Sequence, residues 1–267
     1  MTMHGELHKT PSSETLATTL SQRLAPLRDS LASEWRKHTV AHIAVDDLLP
    51  TTSAHWLSEA YPDEAKLQRV RSLSKSMHTA RTLKQLSEPL EELLSAFQSP
   101  TFARVLGEII GVRDLEPDYS LDNSGLVSLS RGGFVNPHLE ASHNARGDKY
   151  CVLKAIYYLS PDWRLADGGQ LELWQDGLDR LPTVTLAKFN RLTLVAMHER
   201  SWHSINRVNA KRPRRALVHT YYAAEPLAKR EYKHGLSFRG RPDQSVRDLV
   251  LRYSQSLPDA VARTLLM

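Results

Sequence analysis

The stretch NPHLEASH, residues 136–143, brings two potential metal ligands together, His138 and Glu140. In an extended strand, residues i and i+2 point to the same side, so this imidazole and this carboxylate would share one wall of a cavity. A third candidate, His203, follows an apolar run and the polar loop HERS (198–201). Two histidines and one carboxylate on one face of a metal leave its other positions open, an arrangement associated with non-haem Fe(II) oxygenases.

The spacing alone leaves a second interpretation open, because the chain has 12 histidines and His-x-Glu is a common sequence. The three residues could instead be surface groups or hydrogen-bonded side chains of the core. Arg214 and Arg215 favour the metal interpretation, since they stand 11 and 12 residues after His203 at the start of a predicted strand. A dicarboxylate held on a metal needs a buried cation at its far end.

The residue pattern of the segment 121–224 around these residues is typical of an antiparallel β structure. Short runs of β-branched and aromatic residues are separated by Gly, Pro, Asp and Asn: GLVSLS, YCVLKAIYYLS, GGQLELW, TVTLAKF, RLTLVAM and RALVHTYYA. Two packed sheets of this type form a jelly roll, in which one open end can present ligands into a cavity. We therefore expect an α+β protein whose catalytic core is a jelly roll, or double-stranded β-helix, over 121–224.

Residues 1–120 are predicted to be mainly helical support with one opening strand. Apolar residues at spacings of three and four predict an amphipathic helix that Pro26 kinks or divides: Leu16, Leu20, Leu24, Leu27, Leu31 and Trp35. The stretch TVAHIAVDDLLP (39–50) predicts the strand and a turn, and helical spacing returns over 82–111. A C-terminal extension, 225–267, resumes helical spacing beyond Pro242. We expect these parts to form one domain over 1–267, with the N-terminal helices packed on one sheet.

Composition limits the classes of protein that fit. One cysteine, Cys151, excludes an intramolecular disulfide framework, and the sequence shows neither an export signal nor a long apolar run. A cytoplasmic protein without a membrane partner is therefore expected. The net charge is +5, but no nucleic-acid-binding motif accompanies it, so nucleic acid is disfavoured as a partner. A homodimer is compatible with the sequence.

A longer series of motifs resembles the catalytic core of the 2-oxoglutarate- and Fe(II)-dependent oxygenases, in the prolyl 4-hydroxylase-like branch. The pieces and their order carry the resemblance: RGGFVNPHLEASHNARGDKYCVLKAIYYLSPDW, DGGQLELW, AKFNRLTLVAMHERSWHSINRV and RPRRALVHTYY. It covers roughly 121–224, and VAHIAVDDLLP resembles the strand and turn that open the same cupin-like domain. The resemblance implies an oxidoreductase that uses Fe(II), 2-oxoglutarate and O2.

Matched position by position, the resemblance implies His138, Glu140 and His203 as iron ligands. Arg214 takes the place of the family's 2-oxoglutarate-binding arginine, and Tyr158 matches a tyrosine that supports the same carboxylate. Strand alternation then turns Arg215 away from the pocket, although a one-residue shift in alignment would exchange the two arginines. One departure is Glu140, where the family usually has Asp; other branches of the oxygenases use His-x-Glu.

The resemblance implies hydroxylation of an unactivated C–H bond, with succinate and CO2 as co-products. Arg131, His143 and Arg146 are the predicted substrate contacts, because loop arginines near the ligand pair could meet a carboxylate. They favour a small amino-acid-like substrate. The alternatives are a prolyl or other residue of a peptide or protein, and a jelly roll that binds without turnover.

Overall fold

The structure, a computed structural model, describes residues 11–82, 85–227 and 230–255. The ends of the predicted domain, 1–10 and 256–267, lie outside the described residues. The helices are α1 (Ser13–Leu24), α2 (Arg28–Trp35), α3 (Thr51–Glu59), α4 (Glu88–Phe97), α5 (Pro100–Ile110) and α6 (Ser245–Gln255). The strands are β1 (His42–Val45), β2 (Gln68–Arg71), β3 (Lys75–Ala80), β4 (Glu116–Pro117), β5 (Gly125–Leu129), β6 (Phe134–Leu139), β7 (Tyr150–Tyr158), β8 (Leu171–Leu173), β9 (Thr183–Thr185), β10 (Leu192–Ala196), β11 (His203–Ile205), β12 (Arg214–Ala223) and β13 (Ser237–Phe238).

Local signals fix where several helices begin and end. Pro26 lies in a 3-10 turn, Ala25–Leu27, that separates α1 from α2, as a proline inside a helical pattern predicts. Ser99 caps α5 by accepting a hydrogen bond from the backbone of Thr101, and Gly111 ends the helix in the left-handed region with φ +79°. These helix ends lie where proline, serine and glycine occur in the sequence.

All strand pairs are antiparallel, and together they wind into a nearly closed barrel. The strand order is β1-β10-β7-β12-β5-β3-β6-β11-β8-β9, with β2, β4 and β13 attached to β3, β12 and β6. Because β3 pairs with both β5 and β6, it joins the two sheets of the jelly roll. The predicted fold class, a jelly roll with N-terminal helices and a helical tail, is confirmed.

Strand β7 pairs with β10 and β12 and is buried on both faces. Ala155 and Tyr157 belong to the apolar cluster that includes the N-terminal helices, whereas Ile156 and Tyr158 belong to the cluster inside the barrel. Alternation along one strand thus separates the supporting layer from the interior. Lys154 shares the alternation of Ile156 and Tyr158 and lines the same interior.

Besides the short β4, the hairpin of β2 and β3 adds to the one strand expected in residues 1–120. Its sequence, QRVRSLSKSMHTA (68–80), has few β-branched apolar residues, so its propensity for strand is weak. Pairing with β5 and β6 makes β3 a strand, and this tertiary contact is not visible in the local pattern. The consequence for the interior is direct, because Lys75, Met77 and Thr79 of β3 line the cavity described below.

Within the described ranges, no helix has the length and apolar character needed to cross a membrane.

A substitution at Gly125 tests how closely β5 approaches the end of β3. Its φ is +134°, and a Cβ atom there would lie 2.1 Å from the backbone oxygen of Ala80. We expect Gly125→Ala to lower the free energy of unfolding by about 3 kcal/mol or more, since backbone must move to relieve the clash. Gly147 is the matched control: its φ is +75°, but nothing lies within 4 Å of the added Cβ. Gly147→Ala should cost only about 1 kcal/mol. Urea denaturation measures both, and equal losses would contradict the packing assignment.

Candidate metal centre and cosubstrate pocket

Two neighbouring strands bring the three predicted metal ligands together. In the antiparallel pair of β6 and β11, His138 lies directly opposite His203. Glu140 follows the last residue of β6, and its carboxylate points to the same side as His138. The intervening Leu139 is buried. The local i, i+2 geometry expected from the sequence is therefore present.

The ligand atoms of this triad, His138, Glu140 and His203, lie within 4.8 Å of one another. Oε1 of Glu140 is 3.4 Å from Nε2 of His138 and 3.7 Å from Nε2 of His203. The two imidazole centroids are 4.1 Å apart. In the part of the chain that the structure describes, no other group of His, Cys, Asp and Glu has this geometry. The arrangement can hold one metal ion.

The backbone orients both imidazoles in the same way. Nδ1 of His138 is 3.0 Å from the carbonyl oxygen of Asn136, and Nδ1 of His203 is 2.9 Å from that of Ser201. A carbonyl oxygen only accepts, so Nδ1 of each ring donates and carries the proton. The lone pair of each Nε2 is left for a metal, which is how ligating histidines are usually held.

Burial and neighbouring charges give His138 and Glu140 the protonation states that a metal needs. Burial, with a smaller contribution from His203, lowers the pKa of His138 to about 4. Burial raises the pKa of Glu140, but Lys154 and the two histidines outweigh that effect and hold it well below its ordinary value. At neutral pH His138 is therefore neutral and Glu140 is ionised, so neither needs to lose a proton before binding metal.

A second cluster of polar atoms lies around Arg214, which is 1% exposed. Its Nε donates to the backbone oxygen of Gly169 at 3.0 Å, and its guanidinium carbon lies 4.9 Å from the centroid of the Tyr158 ring. Nη1 and Nη2 of Arg214 and the hydroxyl of Tyr158 are buried without hydrogen-bond partners in the described residues. Burial lowers the pKa of Arg214. Unpaired buried donors on a guanidinium fit a carboxylate that arrives with a ligand.

Arg215 has a different environment, as strand alternation predicts. Its guanidinium lies 5.2 Å from the ring centroid of Tyr61, outside the barrel, and the residue does not line the cavity. Ala216 and Val218, by contrast, share the inward alternation of Arg214. Of the two arginines that the sequence left open, only Arg214 reaches the interior.

One cavity of about 220 Å³ connects the triad with Arg214. Apolar residues of seven strands form much of its wall, including Met77, Leu126, Val127, Val135, Ile156, Leu171, Ile205 and Val218. Its charged residues are Lys75, Arg81, Glu140, Lys154 and Arg214. An apolar wall with a few convergent polar groups is typical of a small-molecule site.

The predicted substrate contacts are not brought to this cavity. Arg131 and Arg146 are exposed in loops, and the ring of His143 packs 4.2 Å from that of Tyr150 on an outer loop. None of the three lines the cavity. Loops follow the surface, and nearness to His138 in sequence did not place these side chains near it in space. Their role in substrate binding stays a prediction.

Sequence analysis missed three residues at the site: Lys75, Lys154 and Phe238. The Phe238 ring stacks on His138 at 5.1 Å between centroids, from β13, which pairs with β6. Lys154 contacts Glu140 through an ion pair. A lysine inside the apolar run YCVLKAIYY was a readable signal, because lysines are seldom buried without a partner. Lys75 and Phe238 arrive through tertiary pairing and had no local signal.

Residues 124–223 match the 2OG-Fe(II) oxygenase superfamily. These residues form a 2OG-Fe(II) oxygenase domain. The domain contains the triad, Tyr158 and Arg214, and the match supports a 2-oxoglutarate-dependent iron dioxygenase that uses Fe(II) and 2-oxoglutarate. No curated protein matches the chain.

Solved structures of several proteins share the fold of this chain. A prolyl-4-hydroxylase from Pseudomonas putida is 18% identical with a TM-score of 0.53, over 74% of this chain and 99% of that one. A prolyl 4-hydroxylase from Phytophthora capsici is 18% identical with a TM-score of 0.51, over 85% and 70%. The epimerase SnoN from nogalamycin biosynthesis is 16% identical with a TM-score of 0.53, over 82% and 85%. At these identities the likeness is one of fold.

Removing one imidazole tests the metal centre. We expect His203→Ala to weaken Mn(II) binding by more than about 100-fold, because a lost ligand should cost more than a lost supporting hydrogen bond. His198→Ala is the matched control, since His198 lies in the loop before β11, its Nε2 is 3.1 Å from the backbone oxygen of Thr39, and it is not a member of the triad. Isothermal titration calorimetry should leave its affinity near that of the wild type. Equal affinity in all three proteins would rule out the triad as the site.

Proposed function

We propose that the chain hydroxylates an unactivated C–H bond of a small amino-acid-like substrate, with succinate and CO2 as co-products. In this proposal His138, Glu140 and His203 bind Fe(II), and Arg214 with Tyr158 binds the distal carboxylate of 2-oxoglutarate. The observation that carries it is the pairing of a two-histidine, one-carboxylate triad with a buried guanidinium whose outer nitrogens have no partner, in one cavity.

The dimensions of the cavity support this division of roles. Lys154 contacts Glu140 at the triad, and Tyr158 lies four residues later on the same face of β7. A strand rise of roughly 3.3 Å per residue separates the two Cα atoms by about 13 Å. The long side chains shorten the gap between the triad and the guanidinium. Because one cavity joins the triad and Arg214, a diacid would approach the metal at one end and Arg214 at the other.

Each group in the chain has a distinct part in the proposed reaction. When bound, Fe(II) and 2-oxoglutarate supply an oxidative decarboxylation that uses O2 and leads to oxygen insertion into a C–H bond. Arg214 and Tyr158 fix the diacid in one orientation through charge-assisted hydrogen bonds. The carbonyl oxygens of Asn136 and Ser201 hold the imidazoles in their ligating tautomer. The apolar walls around Ile156 and Val218 exclude water from the reacting centre.

We also propose that residues 1–120, 121–224 and 225–267 act as one domain, in which the first and last parts support the core. The N-terminal helices share an apolar cluster with the outer face of β7, β10 and β12. From the C-terminal part, Arg241 pairs with Glu172 of β8 at 2.6 Å, and β13 pairs with β6. These contacts support a C-terminal part that is fastened to the core.

A residue of a peptide is the second candidate for the substrate. Leu236, which lines the cavity, is 47% exposed. An exposed apolar side chain at a cavity rim could contact the chain on either side of a target residue. The two candidates differ in what enters the cavity, a whole small molecule or one side chain.

The proposed chemistry has a direct spectroscopic test. Anaerobic addition of Fe(II) and 2-oxoglutarate to the protein should give a weak visible metal-to-ligand charge-transfer band, because a chelating 2-oxo acid would sit directly on the metal. With O2 admitted, free amino acids and prolyl peptides are then screened for succinate release above the background rate. Stimulation by free amino acids supports the first candidate and stimulation by peptides alone supports the second. Absence of the band at saturating Fe(II) and 2-oxoglutarate would overturn the proposal.

The two neighbouring arginines allow a matched test of the carboxylate anchor. Arg214→Met should weaken 2-oxoglutarate binding by at least about 30-fold, since truncating one partner of a buried charged pair costs roughly 2–5 kcal/mol. Arg215→Met removes the same charge one residue away, outside the barrel, and should change the affinity less than about threefold. Titration of the charge-transfer band measures both. A larger loss in Arg215→Met would exchange the assignments, and urea denaturation separates loss of binding from loss of fold.

A further inference from the structure

The cavity contains more positive charge than the proposed cosubstrate uses. Besides Arg214, its lining includes Lys75, Arg81 and Lys154, and Glu140 is its one acidic residue among the described residues. Arg81 is exposed and its Nη1 donates to the backbone oxygen of Asp122 at 2.7 Å, so water screens its charge. The two lysines remain to be explained.

Lys154 lies at the triad end of the cavity. It projects inward from the middle of β7, and its side chain is 11% exposed. Its ammonium contacts Oε1 of Glu140, the same carboxylate oxygen that the Nε2 atoms of His138 and His203 face. A metal on the triad would use the charge of that carboxylate, and Lys154 would then need another anion nearby.

Lys75 reaches the cavity from β3, the strand that joins the two sheets. It lies on β3 beside Val135 of β6, three residues before His138, and its Nζ is 5.5 Å from the ring centroid of Phe238. Burial lowers the pKa of Lys75, with Arg81 and Lys154 acting in the same direction and Glu140 against them. Within the described residues, no carboxylate lies within ion-pair distance of its ammonium. A half-buried ammonium without a counter-ion is unfavourable in the free protein and favourable when an anion binds.

Charge balance in the loaded site leaves an excess of two positive charges. The two charges of Fe(II) equal the two charges of the 2-oxoglutarate dianion, and Glu140 offsets Arg214 in the overall balance. Lys75 and Lys154 therefore carry two positive charges for which neither the described lining nor the proposed cofactors supply an anion. One carboxylate of a ligand beside the metal would offset one of these charges and accept hydrogen bonds from both ammonium groups.

We infer that Lys75 and Lys154 form a subsite for a carboxylate of the primary substrate. This inference rests on the proposed function and narrows its substrate to an acid. Two ammonium groups on one carboxylate provide charge-assisted hydrogen bonds, and an amide in the same position would leave both charges buried and unpaired. The subsite thus selects an acid over its own carboxamide, and it holds the acid next to the triad.

Paired probes test this selectivity without turnover. Protein loaded with Mn(II) and 2-oxoglutarate is titrated anaerobically with three acid and carboxamide pairs: L-aspartate with L-asparagine, L-glutamate with L-glutamine, and L-proline with L-prolinamide. At least one acid should bind ten or more times tighter than its carboxamide. Lys75→Met and Lys154→Met should each bring that ratio toward one, while Lys66→Met, the same substitution at an exposed lysine outside the cavity, should preserve it.

Each outcome decides between the subsite and its competitors. Equal binding of acid and carboxamide in every pair, or no binding of any acid, overturns the subsite. A selective loss of 2-oxoglutarate affinity in both lysine variants, with the acid preference intact, assigns the lysines to the cosubstrate and also overturns it. Lys75→Met keeps the test decisive if Lys154→Met fails to bind metal, because Lys75 does not contact Glu140. Failure of the wild type to bind Mn(II) and 2-oxoglutarate would instead count against the proposed function.

Discussion

The pairing of β6 with β11 is the constraint on which the site depends. It sets His138 opposite His203, so the separation of the two imidazoles follows from the spacing of antiparallel strands. A slip of one residue in either strand would turn one of these side chains to the other face of the sheet. Glu140 then needs only to continue β6 in an extended direction. The metal geometry is thus a property of strand register, and the loops have little part in it.

The rest of the fold maintains that register and excludes water from the cavity beside the two strands. Helices α1, α4 and α5 cover the outer face of the central strands, so β7 is buried on both sides. The inward face of β7 then extends from Lys154, at the triad, to Tyr158, beside Arg214. One strand therefore carries both the group next to the metal ligands and the group next to the carboxylate anchor. The low polarity of the walls between them strengthens every charge interaction at either end.

Much of the core was visible in the sequence, because its signals are local. Alternation predicted that His138 and Glu140 share a face, and it also separated Arg214 from Arg215. The limits appear where side chains meet only through folding. Strand β3 has weak propensity and forms by pairing with β5 and β6, so neither the hairpin nor Lys75 in the cavity could be read from its own residues. Arg131, His143 and Arg146 illustrate the reverse case, since short distance along the chain suggested contacts that the cavity lining does not include.

Phe238 has a consequence for the order in which the site is assembled. The two imidazoles and the carboxylate are in place once β6 and β11 have paired, but the ring that stacks on His138 belongs to a strand that follows β12 in the chain. The chain leaves the ribosome with its N-terminus first, so the three ligand residues emerge before Phe238, the ring that covers one face of His138. A metal ion that arrives in that interval meets an open face of His138. Once Phe238 is in place, a metal ion that exchanges must pass this ring or enter through the mouth of the cavity.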